Sequence, residues 1–149
     1  MSNDAAVQNM IDTVAIQQLI ALYIEAASSG NFDVVASTYA DDGVWSVPAF
    51  PMTVTGPQAI KDQIIEMLKP MDYLVQIGSP ASIQVTGDTA TARSSMREGF
   101  KFTGKNVSAE VLGVYADELV RTPKGWKFKS RTFHMGCFNT YDIHPPQAG

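Results

Sequence analysis

Residues 89–135 read TATARSSMREGFKFTGKNVSAEVLGVYADELVRTPKGWKFKSRTFHM, and this stretch decides the fold. Apolar and polar side chains alternate with a period of two, as on strands with one buried face. Gly104-Lys105-Asn106 and Thr122-Pro123-Lys124-Gly125 interrupt the alternation, and Thr86-Gly87-Asp88-Thr89 precedes it. Each interruption places Gly, Asn or Pro where a hairpin turn needs their backbone angles. The pattern predicts antiparallel strands over 73–86, 89–103, 106–121 and 125–135. Most of these exceed the usual limit of about ten residues, and a twisted sheet of that length must curl.

Upstream, the period changes to that of a helix. Ile16, Leu19, Ile20, Tyr23, Ala26 and Ala27 fall on one helical face, with Asp12 or Thr13 as N-cap and Gly30-Asn31 as the stop. A second helix is expected from Phe32 to Ala40, then a turn at Asp41-Asp42-Gly43 and a short strand from Val44 to Val47 that ends at Pro48. Pro48 to Thr55 reads as irregular. Gly56-Pro57 opens a third helix whose buried stripe is Ile60, Ile64, Ile65 and Leu68, and Pro70 closes it. Residues 1–11 read as an N-terminal extension and 136–149 as a loop-like tail. Helices segregated from a run of strands define an α+β domain, here one domain over 1–149. The curled sheet and its three helices are expected to form a cone-shaped barrel around a pocket.

Composition narrows the classes of function. The chain has 149 residues, 11 basic and 15 acidic, for a net charge of -4. Nucleic-acid binding needs a basic patch, so no nucleic-acid partner is expected. No run of roughly 18 apolar residues occurs, so no membrane partner is expected. The N-terminal MSNDAAVQNMIDT has neither a basic segment nor an apolar core, which predicts a cytoplasmic protein without a signal peptide. Cys137 is the single cysteine, and His134 and His144 lie ten residues apart. Neither suits a metal site, so no metal and no cofactor are expected.

Several short motifs in order carry a resemblance. They are Ala15-Ile16-Gln17-Gln18-Leu19 with Tyr23, Gly30-Asn31-Phe32-Asp33, and Tyr39-Ala40-Asp41-Asp42-Gly43-Val44-Trp45. Gly56 with Ile60 and Val85-Thr86-Gly87-Asp88-Thr89-Ala90 follow. Gly113-Val114-Tyr115-Ala116-Asp117-Glu118, Arg121, Gly125-Trp126-Lys127-Phe128 and Arg131 close the set. Over roughly residues 12–135 the chain resembles the SnoaL-like branch of the nuclear transport factor 2-like superfamily. The resemblance implies a cone-shaped α+β barrel with a deep apolar pocket. It also implies cofactor-free proton transfer on hydrophobic small molecules, as in scytalone dehydratase, ketosteroid isomerase, polyketide cyclases and a hexachlorocyclohexane dehydrochlorinase. The superfamily also contains proteins that are not enzymes.

The chain departs from the family where the chemistry is done. Dehydratase-type relatives use an Asp–His dyad as general base; Ser28 and Gln76 stand at those positions here. The isomerase carries its base before a proline of the short strand, where this chain has Val47. None of these side chains titrates near neutrality, so dehydration or enolisation by the family's own machinery is disfavoured.

Five residues are candidates for chemistry. Tyr23 resembles a pocket tyrosine that donates a hydrogen bond to substrate oxygen, or is a core tyrosine satisfied by backbone. Asp117 falls near a protonated pocket aspartate of the isomerase, or pairs with Arg131 on the next strand. Arg131 resembles an arginine lining the dehydrochlorinase pocket, or forms a structural ion pair. Glu98 shares its parity with Ala90, Ala92, Met96, Phe100 and Phe102, so alternation points this carboxylate inward, where burial would raise its pKa; a bulge at Glu98-Gly99 would turn it out. His134 has a side chain suited to proton transfer, but alternation from Arg131 puts it on the other face unless a bulge intervenes. His144 enters only if the tail folds over the pocket mouth. Trp45, Phe50, Met52, Tyr73, Tyr115 and Phe133 are candidate pocket walls, or ordinary core.

The leading expectation is a cofactor-free lyase or isomerase acting on a hydrophobic, oxygenated small molecule, with aromatic rings among the candidates. Retro-aldol cleavage is one route that avoids the missing dyad. A small-molecule-binding or dimerisation module is the first alternative. An epoxide hydrolase, which needs an Asp–Arg–Asp set, is the second. Apolar residues on both faces of the long strands lead us to expect a homo-oligomer, a dimer or higher.

Overall fold

Helix α1 spans Asn3–Ser29, starting well before the expected cap at Asp12 or Thr13. Ser2 caps it, its side chain accepting from the amide of Ala5. Residues read as an extension are therefore its first turns, because nothing between Asn3 and Asp12 breaks a helix. Gly30 ends it at φ 76°, a left-handed angle that glycine adopts without strain. By length and composition alone α1 could cross a bilayer. Its inner stripe of Ile16, Ile20, Tyr23 and Ala26 is buried in the core instead.

The computed structural model describes residues 2–144. After α1 come α2 (Phe32–Ser37), β1 (Tyr39–Val47), β2 (Met52–Thr55) and α3 (Pro57–Leu68). The remainder is strand: β3 (Met71–Gly78), β4 (Ser82–Thr86), β5 (Thr89–Phe102), β6 (Val107–Thr122) and β7 (Gly125–Asp142). The seven strands form one curved, unclosed sheet ordered β2-β1-β7-β6-β5-β3, with β4 also paired to β5. The architecture is the α+β cone expected from the alternation and the resemblance.

Four local expectations are corrected. Asp41-Asp42-Gly43 is not a turn before a strand; it lies within β1, where the pairing with β7 slips between Tyr39 and Val44. Residues 52–55, read as irregular, form β2 against β1. The strand expected over 73–86 is two strands, divided at Ser79-Pro80-Ala81; β4 pairs with the first part of β5 and β3 with the second. Proline supplies no amide to a ladder, which accounts for the break. The tail after Gly136 continues β7 to Asp142, paired along β6 as far as Val107.

A buried cluster fastens α1 to the β6–β7 hairpin. Arg121 donates twice to Asp12, at 2.7 and 2.8 Å, and the indole Nε1 of Trp126 donates to the same carboxylate at 3.1 Å. The guanidinium also stacks 4.6 Å from the Trp126 ring centre. These contacts hold Asp12 down at a pKa of about 2, the Arg121 bonds leading and burial opposing them. With α1 fixed there, Tyr23, about three turns further along, is delivered to the concave side of the sheet.

Candidate active site

The site is built around a cross-strand pair. Gln76 of β3 lies directly opposite Glu98 of β5, and both side chains point to the concave face. Gln76 Nε2 donates to Glu98 Oε2 at 2.7 Å. The backbone amide of Gln76 donates to Ser28 Oγ at 2.9 Å, tying the end of α1 to the same strand. Ser28 and Gln76, at the positions of the family's dyad, thus remain neighbours. The ionisable group has moved to the adjoining strand, where regular alternation through Met96, Glu98 and Phe100 turns the carboxylate inward.

A cavity opens in front of this pair in two adjoining lobes. The smaller, of about 70 Å³, is lined by Tyr23, Phe32, Trp45, Gln76, Glu98 and Tyr115 among others. The larger, of about 140 Å³, is lined by Trp45, Phe50, Met96, Glu98, Phe100, Tyr115, Phe133, Met135 and Phe138 among others. Trp45, Met67, Met71, Glu98 and Tyr115 face both, so Glu98 stands at the waist. Among the described residues Glu98 is the only charged side chain in either lining. Burial pushes its pKa above the ordinary glutamate value of 4.5, and the Gln76 bond opposes that rise. Phe50 and Phe138 are about half exposed and mark the mouth of the larger lobe.

Tyr23 reaches the smaller lobe from α1. Burial raises the phenol pKa, while the charge of Arg131 and the neighbouring Tyr39 and Tyr115 hydroxyls pull it down. Tyr115 from β6 is pushed up for the same first reason. Both phenols therefore keep their protons near neutrality and can act as donors.

Asp117 and Arg131 do not line the cavity, contrary to the expectation of a pocket role. They are cross-strand partners on β6 and β7, bonded through Nε to Oδ1 at 2.9 Å and Nη2 to Oδ2 at 3.2 Å, and both are fully enclosed. The guanidinium sits behind the phenols, 4.2 Å from the Tyr23 ring centre, 3.9 Å from Tyr115 and 4.4 Å from Phe128. Burial raises the Asp117 pKa against the pull of Arg131. Burial would lower Arg131, but the Asp117 charge holds it above its ordinary value. Pairing with Asp117 uses Nε and Nη2 and leaves Nη1 buried without a hydrogen-bond partner among the described residues, and the guanidinium lies against the rings of Tyr23 and Tyr115 rather than in the cavity. Among the described residues Arg131 has no second carboxylate partner, so the Asp–Arg–Asp set of an epoxide hydrolase is not assembled.

His134 is exposed on the convex face, beside Thr91, Arg93 and Thr132. The bulge that could have turned it inward falls after it, where Leu112 pairs with Cys137 but Gly113 with Met135. Tyr73 is half exposed and lines an outer groove with Ser28 and Lys69, not the cavity. Met52 packs against the core without lining either lobe. Trp45, Phe50, Tyr115 and Phe133 are cavity walls. His144 is exposed, and the adjoining Pro145-Pro146 lies outside the described residues. Among the described residues no cluster of three His, Cys, Asp or Glu could hold a metal ion.

Two contributions go beyond what the sequence predicts. Gln76, at a position where the family keeps a base, holds the Glu98 carboxylate through its register opposite it. Phe138, in the stretch expected to be a loop, is a cavity wall, and the apolar residues past Gly136 are the signal for it.

A curved sheet covered by helices, with a cavity on its concave side, defines a nuclear transport factor 2-like fold, and solved structures agree. A hexachlorocyclohexane dehydrochlorinase superposes with a TM-score of 0.84 at 22% identity, over 96% of this chain and 99% of its own. A Novosphingobium aromaticivorans protein provisionally named a scytalone dehydratase gives 0.81 at 22%, over 95% and 93%. The sequence model of the SnoaL-like domain matches residues 8–132, and the chain belongs to that family. An uncharacterized protein of Mycobacterium tuberculosis is 27% identical over 134 residues, 89% of this chain and 90% of its own.

Proposed function

We propose that this chain is a cofactor-independent lyase or isomerase that transfers a proton on a hydrophobic, oxygenated small molecule, with Glu98 as general base. The observation that carries this reading is the Glu98 carboxylate, held by Gln76 at 2.7 Å in a cavity with no other charged side chain among the described residues. A carboxylate with a raised pKa is a stronger base than one in water. It would take a proton from carbon next to a carbonyl. The C–H electron pair then becomes an enolate, whose oxygen accepts hydrogen bonds from Tyr23 and Tyr115. The Arg131 charge behind both rings makes them better donors. Return of the proton at another carbon is isomerisation; expulsion of a β-substituent is elimination. Solved neighbours named a dehydrochlorinase and a scytalone dehydratase support the second arm. The larger lobe compares with a cavity of about 150 Å³ that accepts benzene, which favours a single-ring substrate.

The test is proton NMR in D2O on a panel of single-ring ketones and hydroxyketones. Deuterium should enter next to the carbonyl with the wild-type chain and not with Glu98→Gln. Equal incorporation by both proteins would overturn the assignment. Binding without exchange or turnover would return the protein to the class of binding modules.

We also propose that copies of the chain associate. Val75 and Ile77 are exposed on the outward side of β3, and Leu112 and Val114 lie on the outward side of β6. Light scattering at micromolar concentration should give at least twice the mass of one chain; a monomer would refute this.

A further inference from the structure

Among the described residues, two polar atoms on cavity walls have no hydrogen-bond partner. They are the amide oxygen Oε1 of Gln76 and the indole Nε1 of Trp45. The side chains are deeply buried, with Gln76 8% and Trp45 6% exposed. Unpaired buried polar atoms are uncommon in folded proteins because they forfeit their bonds to water.

The orientation of the Gln76 amide follows from chemistry. Glu98 as a carboxylate only accepts, so the amide must present its nitrogen to it. A flipped amide would set oxygen against oxygen. Oε1 is therefore the free end, an acceptor, while the Trp45 indole can only donate. Both residues line the lobe that holds Tyr23, and Trp45 also faces the larger one.

We infer that Gln76 Oε1 and Trp45 Nε1 are the specificity contacts of the cavity, selecting a neutral ring-sized ligand that donates one hydrogen bond and accepts another. A hydroxylated ring meets both requirements. An anion is disfavoured, since Glu98 is the only charge in the lining and Arg131 is committed to Asp117 behind the phenols. The inference rests on the cavity being the ligand site proposed above, but not on Glu98 acting as a base.

The test uses fluorine NMR titrations with 4-fluorophenol, 4-fluoroanisole, 4-fluorotoluene and 4-fluorobenzoate. These carry a donor and acceptor, an acceptor alone, neither, and a negative charge. The wild-type chain should bind the phenol about tenfold more tightly than the toluene, as one or two net hydrogen bonds allow. The anisole should fall between them, and the benzoate should not bind. Trp45→Phe should erase the difference between anisole and toluene. Gln76→Met should erase that between phenol and anisole. Should Gln76→Met fail to fold, the wild-type order and Trp45→Phe decide between them. Equal binding of the three neutral probes, or an unchanged order in Trp45→Phe, would overturn the inference. Glu98→Gln separates the two readings: deuterium exchange is lost in it, whereas the anisole–toluene difference, which the Trp45 indole sets, should survive. A preserved order with no exchange even in the wild type would sink the base and leave the specificity contacts standing.

Discussion

Gln76 and Glu98 face each other across the β3–β5 register, and the amide of one holds the carboxylate of the other at 2.7 Å. The position that resembles the family's catalytic histidine has become a clamp. The titrating group has passed to the neighbouring strand. A single register pair thus sets an ionisable group in the cavity although the dyad is absent.

Glu98→Gln should lower kcat by about 10²–10⁴-fold, the usual contribution of a positioned general base, with little change in KM. The same substitution should leave the fold intact or raise its Tm. A carboxyl whose pKa is raised in the folded state is stabilising while protonated, and that contribution is lost as pH rises through its folded pKa. Replacing it by an uncharged amide removes this penalty at neutral pH. Thermal melts at pH 7 and steady-state rates check both parts.

The pH profile follows from the same group. kcat/KM should rise with pH along a limb whose apparent pKa lies above the ordinary 4.5, because burial disfavours the ionised form. Gln76→Met removes the bond that opposes burial, so the limb should move further up. A limb that stays in place would separate Gln76 from Glu98.

Asp12 should make the fold acid-sensitive. Its folded pKa of about 2 lies below the ordinary 3.8, so its contribution is complete above about pH 4 and is lost as pH falls towards 2. Asp12→Asn should cost roughly 1.5–3 kcal/mol at pH 7, the range for hydrogen bonds to charged groups. The variant should lose most of the wild type's additional acid sensitivity in that window. Urea denaturation at pH 7 and pH 3 measures both effects.

Arg131 and Asp117 should behave as a structural pair. Replacing either one alone by leucine leaves a buried charge without its partner and should cost about 3–5 kcal/mol. The double replacement should be less destabilised than the sum of the two. Denaturation of the three variants forms the cycle, and simple additivity would contradict the pairing. His134→Ala, on the convex face, should change stability by less than about 0.5 kcal/mol and leave turnover unaltered.

The fold was legible because the signals were local. Alternation through β5 and β6, with glycine at each turn, specifies a long antiparallel sheet without knowledge of distant contacts. The same alternation turned Glu98 inward. What escaped depends on pairing. The β3–β4 break at Pro80 and the run of β7 past Gly136 are settled by which neighbour each strand bonds to. For Asp117 the sequence offers a pocket acid or a pair with Arg131, and the β6–β7 register, with the phenols in front, makes it the pair. Gly113 is similar: a Cβ there would come within 2.5 Å of the Phe133 ring, a constraint invisible until β6 and β7 are paired.

The proposed chemistry needs an ionisable carboxylate shielded from bulk water. Carbon-detected NMR titration of the Glu98 side-chain carboxyl reads that shielding and needs no substrate. The expected midpoint lies above 4.5 in the wild-type chain and higher still in Gln76→Met. A midpoint at or below 4.5 would mean that water reaches the group freely, and would contradict the account.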